Sequence, residues 1–146
     1  MSFLSLEPAL VERLKARLPD GVHVLTRADL AGVTEGSQPT PAVHVIYGGY
    51  RVAENGPMTL IEESWMTVVA VRNVRNVASG AGARDEVSTL LNDILDALDG
   101  QRLANGFRAL RLASPSARPG YTGGYAYFPL FWTTSFTHQR SAESCA

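Results

Sequence analysis

Cysteine is almost missing from this 146-residue sequence: Cys145 stands alone. One thiol excludes an internal disulfide framework, fits a reducing compartment, and gives no basis for a cysteine-built metal site. Lysine is as scarce, with Lys15 set against twelve arginines. Arginine's planar fork suits carboxylate pairing at interfaces, although genomic base composition produces the same bias. A basic excess is missing too, since the formal net charge is -1, which argues against a general polyanion binder. No run approaches the roughly 18 apolar residues of a membrane span, and the opening MSFLSLEPALVERLKARL has no apolar core of signal length before its charges. A soluble protein with no membrane partner and no recognisable export signal is expected.

Catalytic signatures are equally scarce. The stretch WMTVVAVRNVRNVASGAGARDEV, residues 65–87, runs from a β-branched segment through a glycine-bearing turn into a helix, as a dinucleotide site does. Such a site needs three glycines spaced G-x-G-x-x-G, for a tight turn, close phosphate approach and helix packing. Here Gly80 and Gly82 are followed by Asp85, and no Lys-Ser/Thr pair follows as a phosphate loop requires. Asp85 and Glu86, placed at the helix start, would repel a phosphate there. There is no G-x-S-x-G elbow. His23 and His44 could face each other on adjacent strands, but two ligands do not close a zinc site. Glu62 and Glu63, as neighbours on a strand, point to opposite faces and read as a solvated strand end. No catalytic residue, cofactor or metal is expected, and no nucleic-acid module is recognisable.

What is present is a folding pattern. With 45% hydrophobic residues, the chain can bury about 68–70% of its unfolded surface around one core. Leu6, Leu10, Leu14 and Leu18 form one stripe of a short helix, with Ser5 as its N-cap and Pro8 in the first turn. Strands are expected at 22–26 and 42–47, the latter continuing at 50–52 beyond a bulge at Gly48 and Gly49. Asn55-Gly56-Pro57 predicts a hairpin into a long strand from about 59 to 74. Val68, Val69, Ala70 and Val71 are apolar on both faces, so that strand belongs in the middle of the sheet. Val87, Leu90, Leu91, Ile94, Leu95 and Leu98 give a clear helical period, closed by Gly100. Strands at 107–112 and 125–138 follow, the latter with Phe128, Leu130, Trp132 and Phe136 on one face and Pro129 marking an edge or a bulge.

The order α-β-β-β-α-β-β gives the fold class: α+β, a mainly antiparallel sheet of about four to five strands backed by two amphipathic helices. Residues 1–139 read as a single domain and 140–146 as a disordered tail. Residues 1–99 carry 8 basic and 13 acidic side chains, whereas 100–146 carry 5 arginines and Glu143 alone. This bipolarity favours head-to-tail contact between copies if the halves surface on opposite sides. Long connections at 33–41, 73–83 and 113–124 suit grasping between subunits. Arg72, Arg75, Arg84 and Arg118, with Tyr121 and Tyr125, are the candidate contact residues, since arginine and tyrosine are enriched in interface hot spots.

Three segments together resemble the tail terminator, or tail completion, family of long-tailed bacteriophages, Mu-like phages and prophages included: residues 63–73, residues 83–100 after a variable loop, and the closing strand at 125–136. The resemblance covers about half the chain, and the N-terminal helix and first strands agree in order. Gln101 departs from it, standing where many relatives carry a tryptophan. The resemblance implies a structural virion protein of the tail and neck, made in the host cytoplasm, with no catalysis and no cofactor. It implies a homohexameric ring that caps the tail tube, stops its polymerisation and joins it to the head. The partners implied are further copies of itself, the tail tube protein and the head-tail connector protein, with no specific nucleic acid. Another neck or tail subunit, such as a tail-tube or head-completion protein, would share this architecture. A small-molecule enzyme would instead show a deep polar pocket with shifted titrating groups.

Overall fold

The computed structural model describes residues 2–72, 81–114 and 118–139, the side chains of residues 35 and 81–84 excepted. The expectations for residues 73–80, Arg75 among them, and for the tail at 140–146 lie outside these residues. Helix α1, Glu7–Arg17, forms where the leucine stripe places it, and Leu6, Leu10, Leu14 and Leu18 are all buried. Its N-terminus differs from expectation. Leu6 occupies the cap without a side-chain bond, because the Ser5 hydroxyl turns back to Ser2, accepting from its amide at 3.1 Å and donating to its carbonyl at 2.8 Å.

Strand β1, His23–Thr26, leads into a four-residue helix α2, Arg27–Leu30, that the periodicity was too short to reveal. Its signal was a capping box. Thr26 Oγ1 accepts from the Asp29 amide and Asp29 Oδ2 from the Thr26 amide. After a 3-10 turn at Glu35–Ser37 come β2, Ala42–Asn55, and β3, Met58–Arg72, joined by the predicted hairpin. The register shifts between Tyr47 and Gly49, and again between Val52 and Glu54. Gly49 has φ 98°, and a side chain at Gly48 would meet the Ser64 carbonyl oxygen at 3.1 Å, so the first bulge needs both glycines.

Helix α3, Ala81–Leu98, starts earlier than expected and places no acidic residue in its first turn. Asp85 and Glu86 are its fifth and sixth residues. The case against a phosphate loop therefore rests on the missing glycine and the missing Lys-Ser/Thr pair. β4 is shorter than the strand expected at 107–112, covering Arg111–Ala113, with one isolated bridge from Phe107 to Phe136. A short β5, Gly120–Thr122, precedes β6, Tyr125–Gln139.

Among the described residues these six strands make one sheet, ordered β1-β2-β3-β6-β4, with β5 also on β6. Only β1 and β2 pair in parallel. The fold is α+β, with one strand and one helix more than expected. β3 is central, as its two-faced apolar run requires, and Val68, Val69, Ala70 and Val71 are all buried. Pro129 sits in an unbroken register with β3, opposite Val68, and lies where the outer neighbour of β6 changes from β5 to β4. Its missing amide thus falls where no outer ladder needs it.

Alternation assigns the two faces. Ile61, Trp65, Val69 and Val71 of β3 join Ala126, Trp132 and Phe136 of β6 and the stripes of α1 and α3 in one core. Arg13 Nε donates to the Ala97 carbonyl at 2.9 Å and ties the two helices together. Within this core Trp132 Nε1 donates to Thr67 Oγ1 at 2.9 Å, and both residues are fully buried. Thr67→Val keeps the shape and removes the acceptor, so a loss of about 1–3 kcal/mol is expected in denaturant unfolding. Equal stability of the two proteins would show that the indole finds another acceptor.

Glu63 corrects the solvated reading of the strand end. It does point away from Glu62, but into the core side, at 0% exposure. Its Oε2 accepts from the Leu4 amide at 3.3 Å under the N-terminal segment. Burial, and then the nearby Glu63 carboxylate, push the Tyr47 hydroxyl well above the usual phenol range. Glu62, on the other face, takes a two-pronged bond from Arg51 at 3.0 and 3.1 Å across the strand pair.

Candidate inter-subunit surfaces

Strand ends that border the three connections singled out by composition lie together at one end of the sheet. There β2 begins at Ala42 opposite Ala70, β3 ends at Arg72 opposite Tyr125, and β5 turns into β6 through Gly123 and Gly124. The glycines at 123 and 124 have φ values of 60° and 83°, a left-handed pair that suits the tight turn. The connection at 33–41 is folded back over the sheet face opposite the helices. Tyr125 donates its hydroxyl to the Gly36 carbonyl at 3.3 Å, and Gln38 Nε2 donates to the Tyr127 hydroxyl at 2.7 Å. This stretch is docked within the single chain, over the fully buried alanines Ala42 and Ala70.

The candidate contact residues divide accordingly. Arg72 is exposed at the end of β3, Arg118 is exposed two residues before β5, and Tyr121 is 63% exposed with its ring edge-on to Phe128. Tyr125 is 4% exposed and holds Gly36. Arg84 lies in the first turn of α3, its side chain not described, and Arg75 is outside the described residues. The structure therefore gathers Arg72, Tyr121 and Tyr125 at one end of the sheet. Tyr50, Val52 and Leu112, all exposed by 45% or more, were missed. Their signal is positional, because strand order decides which residues border an edge and no local pattern encodes it.

The two histidines are not partners. The parallel register sets His23 against Ala42 and His44 against Leu25. His23 is exposed, whereas His44 is buried, its ring 6.3 Å from that of Tyr127. Burial lowers the His44 pKa below its ordinary 6.5. Below that pH the unfolded chain binds the extra proton and the folded chain resists it, so stability is full above 6.5 and falls as pH drops through it. His44→Leu is expected to flatten that part of the curve in thermal melts between pH 7 and 5. An unchanged slope would mean that His44 titrates freely in the folded protein.

A hollow of about 650 Å³ beside α2 is lined, among the described residues, by Arg27, Leu30, Ala31, Ile46 and Met66. Another, of about 420 Å³ at the hairpin turn, has Glu54 and Arg108 as its charged lining among the described residues. Among the described residues no helix is long and apolar enough to cross a membrane, and no three His, Cys, Asp or Glu side chains gather as a metal site.

A family model described as phage tail terminator protein matches residues 1–143. No curated protein matches the chain. A solved chain from the virion of a native gene transfer agent particle aligns at 16% identity with a TM-score of 0.57, covering 94% of this chain and 100% of that one. A second solved chain aligns at 14% identity with a TM-score of 0.43 over 94% of each. At 16% identity the first likeness is one of fold.

Proposed function

Because the chain belongs to the phage tail terminator family, on a match running from residue 1 to residue 143, we propose that its copies close into a ring, a hexamer, on the end of the tail tube. The family is one of structural phage tail proteins and not an enzyme family, which supports a structural role. The ring stops tube polymerisation and presents its free side to the head connector, having assembled in the host cytoplasm. The family match carries this reading. It is supported by the sheet end where Arg72, Tyr121 and the docked stretch at 36–38 come together, with Arg75, Arg84 and Arg118 as further contacts and Tyr125 as the residue that shapes the surface.

Mixing the purified protein with polymerising tube subunits tests it. Short tubes bearing a ring at one end, seen by negative stain, are the expected result. Tubes that lengthen by incorporating the protein would make it a tube subunit instead. Within a working cap, Tyr121→Ala is expected to weaken capping by about 2 kcal/mol, as a truncated aromatic anchor does. Its melting temperature should stay near that of the parent, since the ring is mostly in solvent. Undiminished capping by this variant would remove Tyr121 from the contact.

A further inference from the structure

The segment leading into α1 lies across the sheet. The Phe3 ring meets Tyr50 of β2 edge-on at 4.9 Å and Phe136 of β6 at 5.4 Å, while the Leu4 amide donates to Glu63 of β3 at 3.3 Å. Residues 2–5 therefore touch three strands. They carry a turn of their own, closed by the Ser5 amide on the Ser2 carbonyl at 3.2 Å. Leu6, 1% exposed, begins the buried stripe, and the Glu7 amide donates back to the Leu4 carbonyl at 3.2 Å. Tyr50 belongs to the part of β2 that β1, pairing only from Ala42 to Val45, leaves without an outer backbone partner among the described residues.

This closed arrangement is loaded against itself. Leu4 has φ 63°, a left-handed conformation disfavoured for any residue with a Cβ. Glu63 is fully buried, yet its Oε1 has no hydrogen-bond partner among the described residues. Nor has it a cation: the ion pair among the described residues joins Arg51 to Glu62 on the other face. A buried carboxylate with neither a cation nor a full set of donors is strongly destabilising. What holds the segment down is slight by comparison. The bond from Leu4 is at the long end of the range, and Phe3 and Leu4 leave 44% and 49% of their surface in solvent. Leu6, Leu10 and Leu14 anchor α1 in the core without help from residues 2–5.

We infer that residues 2–5 form a strap that opens about Leu6 while α1 and the sheet stay folded, with the buried Glu63 carboxylate as the load that drives it open. Opening lets water reach Glu63 and frees Leu4 from its left-handed conformation. It gives up two ring contacts and one long hydrogen bond, a local change of the kind that precedes global unfolding. The closed strap is thus a cover over Tyr50 and Phe136, and anything that binds them is weakened by the small fraction of chains that are open.

Native-state hydrogen exchange of the full-length protein, followed by NMR, tests this. The Leu4 and Glu7 amides are expected to exchange through one shared opening, roughly a hundredfold faster than the Val69 amide at the centre of β3, with little dependence on low urea. Phe3→Ala removes both ring contacts and should speed exchange at Leu4 and Glu7 about fivefold or more. Glu63→Gln keeps an acceptor for Leu4 and removes the buried charge, so it should slow the same two amides about fivefold. Val69 should exchange as in the parent in both variants, which shows that each folds. Leu4 and Glu7 amides as slow as Val69 in the parent, or all three speeding up together in Phe3→Ala, would mean that the segment leaves only with the whole fold. Exchange at Leu4 and Glu7 as fast as in an unfolded peptide would mean that no strap closes. Unchanged or faster exchange in Glu63→Gln would make the carboxylate no load at all. Each of these results overturns the inference.

Discussion

Trp132→Ala is expected to destabilise the protein by about 3–5 kcal/mol, the range for emptying a buried indole site. For a chain of this size that lowers the melting temperature by about 10 °C or more. Trp132 has no exposed surface, sits directly across from Trp65 in the β3–β6 register, and gives its indole N–H to Thr67. The substitution therefore removes ring volume where α1 and α3 press on the sheet and leaves the Thr67 hydroxyl without its donor. A urea titration should show a lower midpoint with little change in slope. A shift under 1 kcal/mol would mean that neighbouring side chains close over the cavity, and that the two tryptophans do not set the spacing between helices and sheet.

The same pair shows how much of the fold the sequence holds. The leucine stripe of α1, the α3 period and the hairpin at Asn55-Gly56 are local signals whose geometry follows from short-range sterics. The central place of β3 was legible because the run at 68–71 is apolar on both faces. Glu63 was legible in part. Extending the alternation back from Val69 through Trp65 puts it on the face of Ile61, but a carboxylate there invites the solvated reading. Its cover comes from Leu4, fifty-nine residues away. The stretch at 36–38 was read as a loop because its residues are small and polar, yet it is fastened by Tyr125 and Tyr127, eighty-nine residues on. The candidate surface was the least legible part. Arg72 and Tyr121 could be singled out by residue type, but that Tyr125 is buried follows from the docked stretch. That β2 has a bare edge follows from the shortness of β1, and neither is encoded nearby.

Ile94→Ala should cost about 2–5 kcal/mol, and Leu91→Ala clearly less, although both replace an aliphatic side chain of the same helical period. The distinction comes from rotation of α3. Val87, Leu90, Ile94, Ala97 and Leu98 are buried to 5% exposure or below, whereas Leu91 and Leu95 lie at the margin of the core, half-buried. Removing Ile94 opens a cavity between α3 and β3, while removing Leu91 surrenders contact that water can partly replace. Denaturant unfolding of the two variants side by side gives the comparison, with the difference more reliable than either value because the unfolded reference largely cancels. Equal losses would place the α3 stripe about half a residue spacing from where it is described. If copies assemble as proposed and bind one another only when folded, assembly adds to the measured stability of both variants by mass action. The contrast between Ile94 and Leu91 should therefore survive assembly while both midpoints rise with protein concentration.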